Sequence, residues 1–107
     1  MSAVVEVLTM EGGGQMVTFE CPGCGYNHGV TVGCKNASGA QWTWNGDAVR
    51  PTLAPSILSR TGPWPKHHKR AGQVDVCHSF VRDGQIEFLS DCTHSLAGQT
   101  VPLPAID

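Results

Sequence analysis

Nowhere does this chain run through the roughly 20 consecutive apolar residues that a membrane-spanning helix needs, so no transmembrane segment is expected. Its N-terminus lacks a basic segment followed by an apolar stretch and a cleavage site, which argues against an export signal. The 107 residues contain no internal repeat and no second composition regime, so residues 1–107 are expected to form one domain with one modest core. Charge of one sign is also lacking: the formal net charge of -2 excludes a general attraction to nucleic acid. The lone basic cluster, Lys66-His67-His68-Lys69-Arg70, lies between Pro-rich and Gly-containing segments. It reads as a solvated loop, with an anion-binding or nucleic-acid patch as the sharper alternative. Five cysteines, an odd number without an export signal, point to a reducing bacterial cytosol and to metal rather than disulfides.

Glycine and proline are abundant instead, 13 and 7 of them, and they favour short strands and turns over long helices. Period-two patterning predicts strands over residues 4–8, 16–20, 30–32, 42–44, 52–59, 74–81 and 85–89. The expected fold is all-β or β-dominated, with small twisted antiparallel sheets, a zinc knuckle and one short helix. That helix is expected over residues 93–97, with Thr93 as its N-cap and Gly98 as its stop.

The metal expectation rests on Cys21-Pro22-Gly23-Cys24-Gly25, where a Pro/Gly turn holds two thiols three positions apart on one side of the backbone. The remaining ligands are open at this level. Cys21, Cys24, His28 and Cys34 come near the spacing of a zinc knuckle that binds single-stranded nucleic acid, but the basic residues such a knuckle uses on phosphates are missing. A distal ligand would tie two halves of the domain together, and Cys77 is the best placed, with Cys92 and His94 behind it. Cys34, in a Gly/Lys/Asn turn, reads as a spare thiol.

The sharpest local signal is Asp83-Gly84, the pair favoured by a two-residue type I′ hairpin turn. It predicts a register in which Arg82 faces Gln85, Val81 faces Ile86, Phe80 faces Glu87 and Ser79 faces Phe88. Continued further, Cys77 shares a face with Ser79 and Val81, while His78 takes the other face with Asp91 as a diagonal neighbour. A metal on the cysteine face and an acid/base pair on the histidine face would divide the strand between two tasks. His78 could equally be a core histidine bonded to a carboxylate. Ser56, between Pro55 and an apolar strand, lacks the Gly-x-Ser-x-Gly elbow of many hydrolases. His94 could serve as ligand, base or surface cap. Trp42, Trp44 and Phe80 read as core.

Taken together, these segments resemble a known group. The order Cys-Pro-Gly-Cys-Gly from Cys21, Trp-Thr-Trp-Asn-Gly-Asp from Trp42, Pro-Thr-Leu-Ala-Pro-Ser-Ile from Pro51, Cys-His-Ser-Phe-Val from Cys77 and Asp-Cys-Thr-His from Asp91 is similar to a small phage and prophage zinc-binding family. Its members often carry the label ammonia monooxygenase, which this chain does not support, since a copper membrane oxidase needs spans and other ligands. More distantly, the chain resembles peptidases of bacterial ubiquitin-like conjugation operons. That resemblance implies Ser56 and His78 as catalytic positions, although Ser79 here separates His78 from Phe80, and it implies His28 as the fourth ligand beside Cys21, Cys24 and Cys77. The resulting expectation is a zinc-binding hydrolase, a peptidase acting on a ubiquitin-like or phage polypeptide. Ser56 would attack, His78 or His94 would act as base, and Asp91 would orient the imidazole. Two alternatives stand beside it: a second zinc held by His78, Asp91 and His94, and a non-enzymatic zinc-stapled module that binds a protein partner in phage assembly or host takeover.

Overall fold

The computed structural model describes residues 2–106. Eight strands form two antiparallel sheets. The first contains β1 (Glu6–Thr9), β2 (Gln15–Glu20) and β3 (Asn27–Val32) in that order. The second contains β4 (Thr43–Trp44), β5 (Leu53–Thr61), β6 (Asp75–Arg82), β7 (Gln85–Phe88) and β8 (Thr100–Pro102), again in chain order. Every neighbouring pair within a sheet is therefore sequence-adjacent, the usual arrangement for consecutive strands.

Alternation along the strands sends one side of each sheet into a shared core. Val17 and Phe19 of β2 and Val30 of β3 meet Leu53 and Ile57 of β5, Cys77 and Val81 of β6, and Ile86 and Phe88 of β7. The segments joining the sheets are tied by backbone bonds: Trp42 N–H donates to Thr31 C=O at 2.8 Å, and Val4 N–H to Ala48 C=O at 2.8 Å. The hairpin register predicted from Asp83-Gly84 is the observed one, pairing Arg82 with Gln85, Val81 with Ile86, Phe80 with Glu87 and Ser79 with Phe88.

One expectation fails. No helix forms among the described residues, and residues 93–97 are turns instead. Thr93 does not cap a helix but extends the ladder of β6, its N–H donating to Val76 C=O at 2.9 Å and its Oγ1 accepting from Val76 N–H at 3.0 Å. Gly98 N–H then donates to Phe88 C=O at 3.0 Å, so pairing with β7 competes successfully with helical winding. Strand β8 was not foreseen, because three residues ending in proline carry little alternation.

The most informative departure lies in β5. Between the pairs Leu53↔Val81 and Ile57↔Ser79 this strand advances four residues while β6 advances two. The bulge holds Ala54, Pro55 and Ser56, and it accommodates a proline that has no N–H for a ladder bond.

Gly84 adopts φ 76° at the β6–β7 turn, and a Cβ there would lie 3.1 Å from Val49 O and 3.2 Å from Arg50 Cα. Gly84→Ala is expected to cost roughly 1–2 kcal/mol, read as a lower urea midpoint at unchanged slope. An unchanged midpoint would mean that this turn does not constrain the hairpin.

Candidate functional site

Two clusters occupy opposite faces of β6. On the inner face, the Cys21–Cys24 turn that follows β2, His28 of β3 and Cys77 of β6 bring one ligand atom each to within 4.8 Å of one another. The turn is shaped for this: Gly25 N–H donates to Cys21 C=O at 2.9 Å, and Cys24 N–H points to Cys21 Sγ at 3.4 Å. The Sγ atoms of Cys21 and Cys77 are 3.8 Å apart. Thiolates bound about 2.3 Å from a tetrahedral zinc ion stand about 3.8 Å from each other, so the spacing suits an ion better than a disulfide. His28 Nε2 is buried without a hydrogen-bond partner, as an unused ligand atom would be. The cysteine/histidine cluster can therefore hold a metal ion.

Its electrostatics agree. The hydrogen bond from Cys77 pulls the Cys21 thiol down to about 3, against the opposing effect of burial. The same pairing, together with burial, pushes Cys77 upward, and burial raises Cys24. Without an ion the cluster favours one thiolate and resists the next, a repulsion that a bound dication would remove.

The other candidate ligands separate from this set. The Cys34 side chain fills the space a Gly14 Cβ would need, away from the cluster, so the local knuckle with Cys34 does not form. Cys92 and His94 come together with Cys77 as a three-member group, in which Cys92 Sγ already has backbone neighbours. Cys92 Sγ lies 3.2 Å from both the N–H and the C=O of His78. The His94 ring sits where a Gly23 Cβ would be and edge-on to Phe88, with centroids 4.5 Å apart. Leu96 N–H donates to His94 Nδ1 at 3.2 Å, while His94 Nε2, like that of His28, is buried without a hydrogen-bond partner. This second group offers three protein ligands, against four in the cluster around Cys21.

On the outer face, His78 Nε2 lies 3.1 Å from Ser56 Oγ and His78 Nδ1 lies 3.1 Å from Asp91 Oδ2. Ser56 arrives through the β5 bulge. Asp91 arrives through a turn closed by Cys92 N–H to Leu89 C=O at 3.2 Å, not through continued strand pairing. The His78 side chain is 26% exposed and that of Asp91 55%, so the line of three opens to solvent at its carboxylate end. His94, on the cysteine side, is not hydrogen-bonded to Ser56 and does not join His78 and Asp91 as a ligand group among the described residues. The second-zinc arrangement thus lacks its donor set.

The family model of the bacterial ubiquitination-like system serine protease, BubE, matches residues 2–89. This chain belongs to that family. No curated protein and no solved structure matches it. Within the BubE-matched span lie Ser56, His78 and all four members of the cysteine/histidine cluster, whereas Asp91 falls just beyond it.

Sequence reasoning missed two supporting contacts. Trp42 Nε1–H donates to Ser56 C=O at 3.3 Å, holding the bulge from the side of β4, where the residue had read as core. Cys92, considered as a ligand, instead serves the backbone of His78. No spacing rule links either pair, since both contacts cross between elements. The basic cluster is a loop between β5 and β6, in which Arg70 forms an ion pair with Asp75 and holds its carboxyl below the usual range, and His68 stacks on Trp64 at 4.7 Å.

If Cys92 Sγ satisfies the His78 backbone, Cys92→Ala leaves a part-buried N–H unpaired and should cost about 1–3 kcal/mol in chemical denaturation. Cys92→Ser, which keeps a donor and acceptor, should recover most of that loss, and metal content should stay unchanged in both. Loss of metal in Cys92→Ser would instead make this residue a ligand.

Proposed function

We propose that this BubE-family chain is a serine peptidase, stapled by a structural zinc ion, that cleaves a ubiquitin-like or phage polypeptide. The observation that carries the reading is the unbroken line Ser56 Oγ, His78 Nε2, His78 Nδ1, Asp91 Oδ2, with 3.1 Å at each junction. It has the order of nucleophile, base and orienter that acyl transfer requires.

In this reading Ser56 Oγ attacks the scissile carbonyl carbon as its proton passes to His78 Nε2. Asp91 accepts a hydrogen bond from His78 Nδ1–H and stabilises the imidazolium that results. His78 then gives the proton to the leaving amine as the C–N bond breaks, leaving the acyl group on Ser56. Water attacks that ester with His78 again as base, releasing the carboxylic acid and restoring the serine. Cys92 and Trp42 act through others, the first on the backbone of His78 and the second on that of Ser56.

Cys21, Cys24, His28 and Cys77 would hold the zinc ion, which would supply a cross-link between the two sheets. Four protein ligands would suit a structural ion better than a catalytic one. No helix among the described residues is long and apolar enough to cross a membrane.

Ser56→Ala should lower turnover of a cleavable polypeptide by at least about a thousandfold while leaving zinc content and Tm unchanged, since one hydroxyl adds little packing. Unchanged cleavage by that variant would eliminate the serine mechanism, and a wild type inert toward peptides and activated esters alike would favour the protein-binding module. One zinc per chain is expected by elemental analysis, and Cys21→Ser, Cys24→Ser or Cys77→Ser should lose metal and stability together, unlike Cys34→Ser. Full zinc occupancy in the Cys21 and Cys77 variants would refute the assigned cluster.

A further inference from the structure

Strand β5 carries Ser56, and most of its length is an uncovered sheet edge. On the side away from β6, Thr43 and Trp44 pair with Ala54 and Leu53, and there β4 ends. Trp42 Nε1 then takes the carbonyl of Ser56. Beyond this point the direction of each main-chain group follows from β6. His78 C=O accepts from Leu89 N–H at 2.9 Å, and Val76 C=O accepts from Thr93 N–H at 2.9 Å, so both residues point their polar groups toward the β7 side. In an antiparallel ladder the intervening Ser79 and Cys77 must then face Ile57 and Ser59, their register partners. By the same alternation, the N–H and C=O of Leu58 and Arg60 point outward. Among the described residues neither forms a backbone bond outside the β5–β6 ladder.

We infer that this edge is the substrate-docking track of the proposed peptidase: an extended segment preceding the scissile bond adds to β5 as an antiparallel strand. Leu58 and Arg60 each exchange a pair of backbone hydrogen bonds with it, and its run ends with the scissile carbonyl at Ser56. The inference rests on the peptidase reading. Two features favour a polypeptide tail over a second copy of the chain. The edge is continuous with the strand that delivers Ser56 to His78. Leu58, 54% exposed, is also the cross-strand partner of His78, so its apolar side chain stands beside the imidazole where a substrate side chain would pass. Main-chain pairing of this kind supplies affinity with little regard to sequence, while contacts such as Leu58 supply preference. From Ser56 to Arg60 the track spans about 14 Å at ~3.4 Å per residue. It therefore selects a flexible terminus or linker of at least about five residues and rejects a bond inside a folded element.

Arg60→Pro tests the track, because proline removes the outward N–H at a position where an edge strand tolerates it, and Arg60→Ala controls for the side chain. The probes are a small aryl acetate, too short to reach the track, and a five-residue peptidyl aryl ester. Arg60→Pro should lower kcat/KM for the peptidyl ester roughly tenfold relative to Arg60→Ala, chiefly through KM, and leave aryl acetate turnover within about twofold. A wild-type protein acting on a peptidyl ester whose amide N–H opposite Arg60 is replaced by an ester oxygen should show a similar loss, independent of any folding defect in the variant. Equal peptidyl turnover in both variants and with both substrates, at normal aryl acetate turnover, overturns the track alone. Absence of Ser56-dependent aryl acetate turnover overturns the peptidase reading beneath it. A dimer that Arg60→Pro dissociates in sedimentation equilibrium, with peptidyl turnover unchanged, assigns the edge to self-association and overturns the inference as well.

Discussion

Three thiols and one imidazole, drawn from both sheets to within 4.8 Å of one another, are the constraint on which the proposed site depends. Cys21 and Cys24 follow β2 and His28 opens β3, whereas Cys77 belongs to β6 of the other sheet. Without a bound ion these groups make a poor core, with a thiolate and two reluctant thiols beside a buried, unpartnered nitrogen. A dication would convert that liability into a cross-link between elements far apart in sequence. A chain of 107 residues has little apolar surface to spare, so such a link matters more here than it would in a larger protein.

The same strand then serves a second purpose. Alternation puts Cys77, Ser79 and Val81 on the buried face of β6 and His78 on the opposite face. A metal ion held by Cys77 would thereby fix the backbone that presents His78, one residue away, to Ser56 and Asp91. Each of those partners is delivered by an irregularity, Ser56 by the β5 bulge and Asp91 by the turn after β7. Regular strands give the proposed triad its frame, and departures from regularity bring its outer members to the histidine.

These differences explain what could be read in advance. Asp83-Gly84 encodes a turn whose geometry forces the register of its own strands, so the pairs from Arg82↔Gln85 to Ser79↔Phe88 were legible. The Cys21–Cys24 turn is equally local. The joining of Cys77 to it crosses between sheets, and sequence could nominate this residue but not separate it from Cys92 or His94 by spacing. The helix expected over residues 93–97 failed because Thr93 and Gly98 found backbone partners in β6 and β7, a tertiary choice that capping rules do not weigh. Trp42 does pack against the core, as read, but its indole N–H finds Ser56 only once the bulge exists.

The central claim is that one chain carries a metal-stapled frame and, on the reverse of its staple strand, an activated serine. It is tested most directly by treating the native protein with a serine-directed phosphonate and measuring the intact mass under non-denaturing conditions, followed by peptide mapping. The account predicts a single adduct, on Ser56, with one zinc ion still bound, and a much slower adduct when His78 is replaced by alanine. An adduct on another residue, or labelling of Ser56 at the same rate without His78, would contradict it.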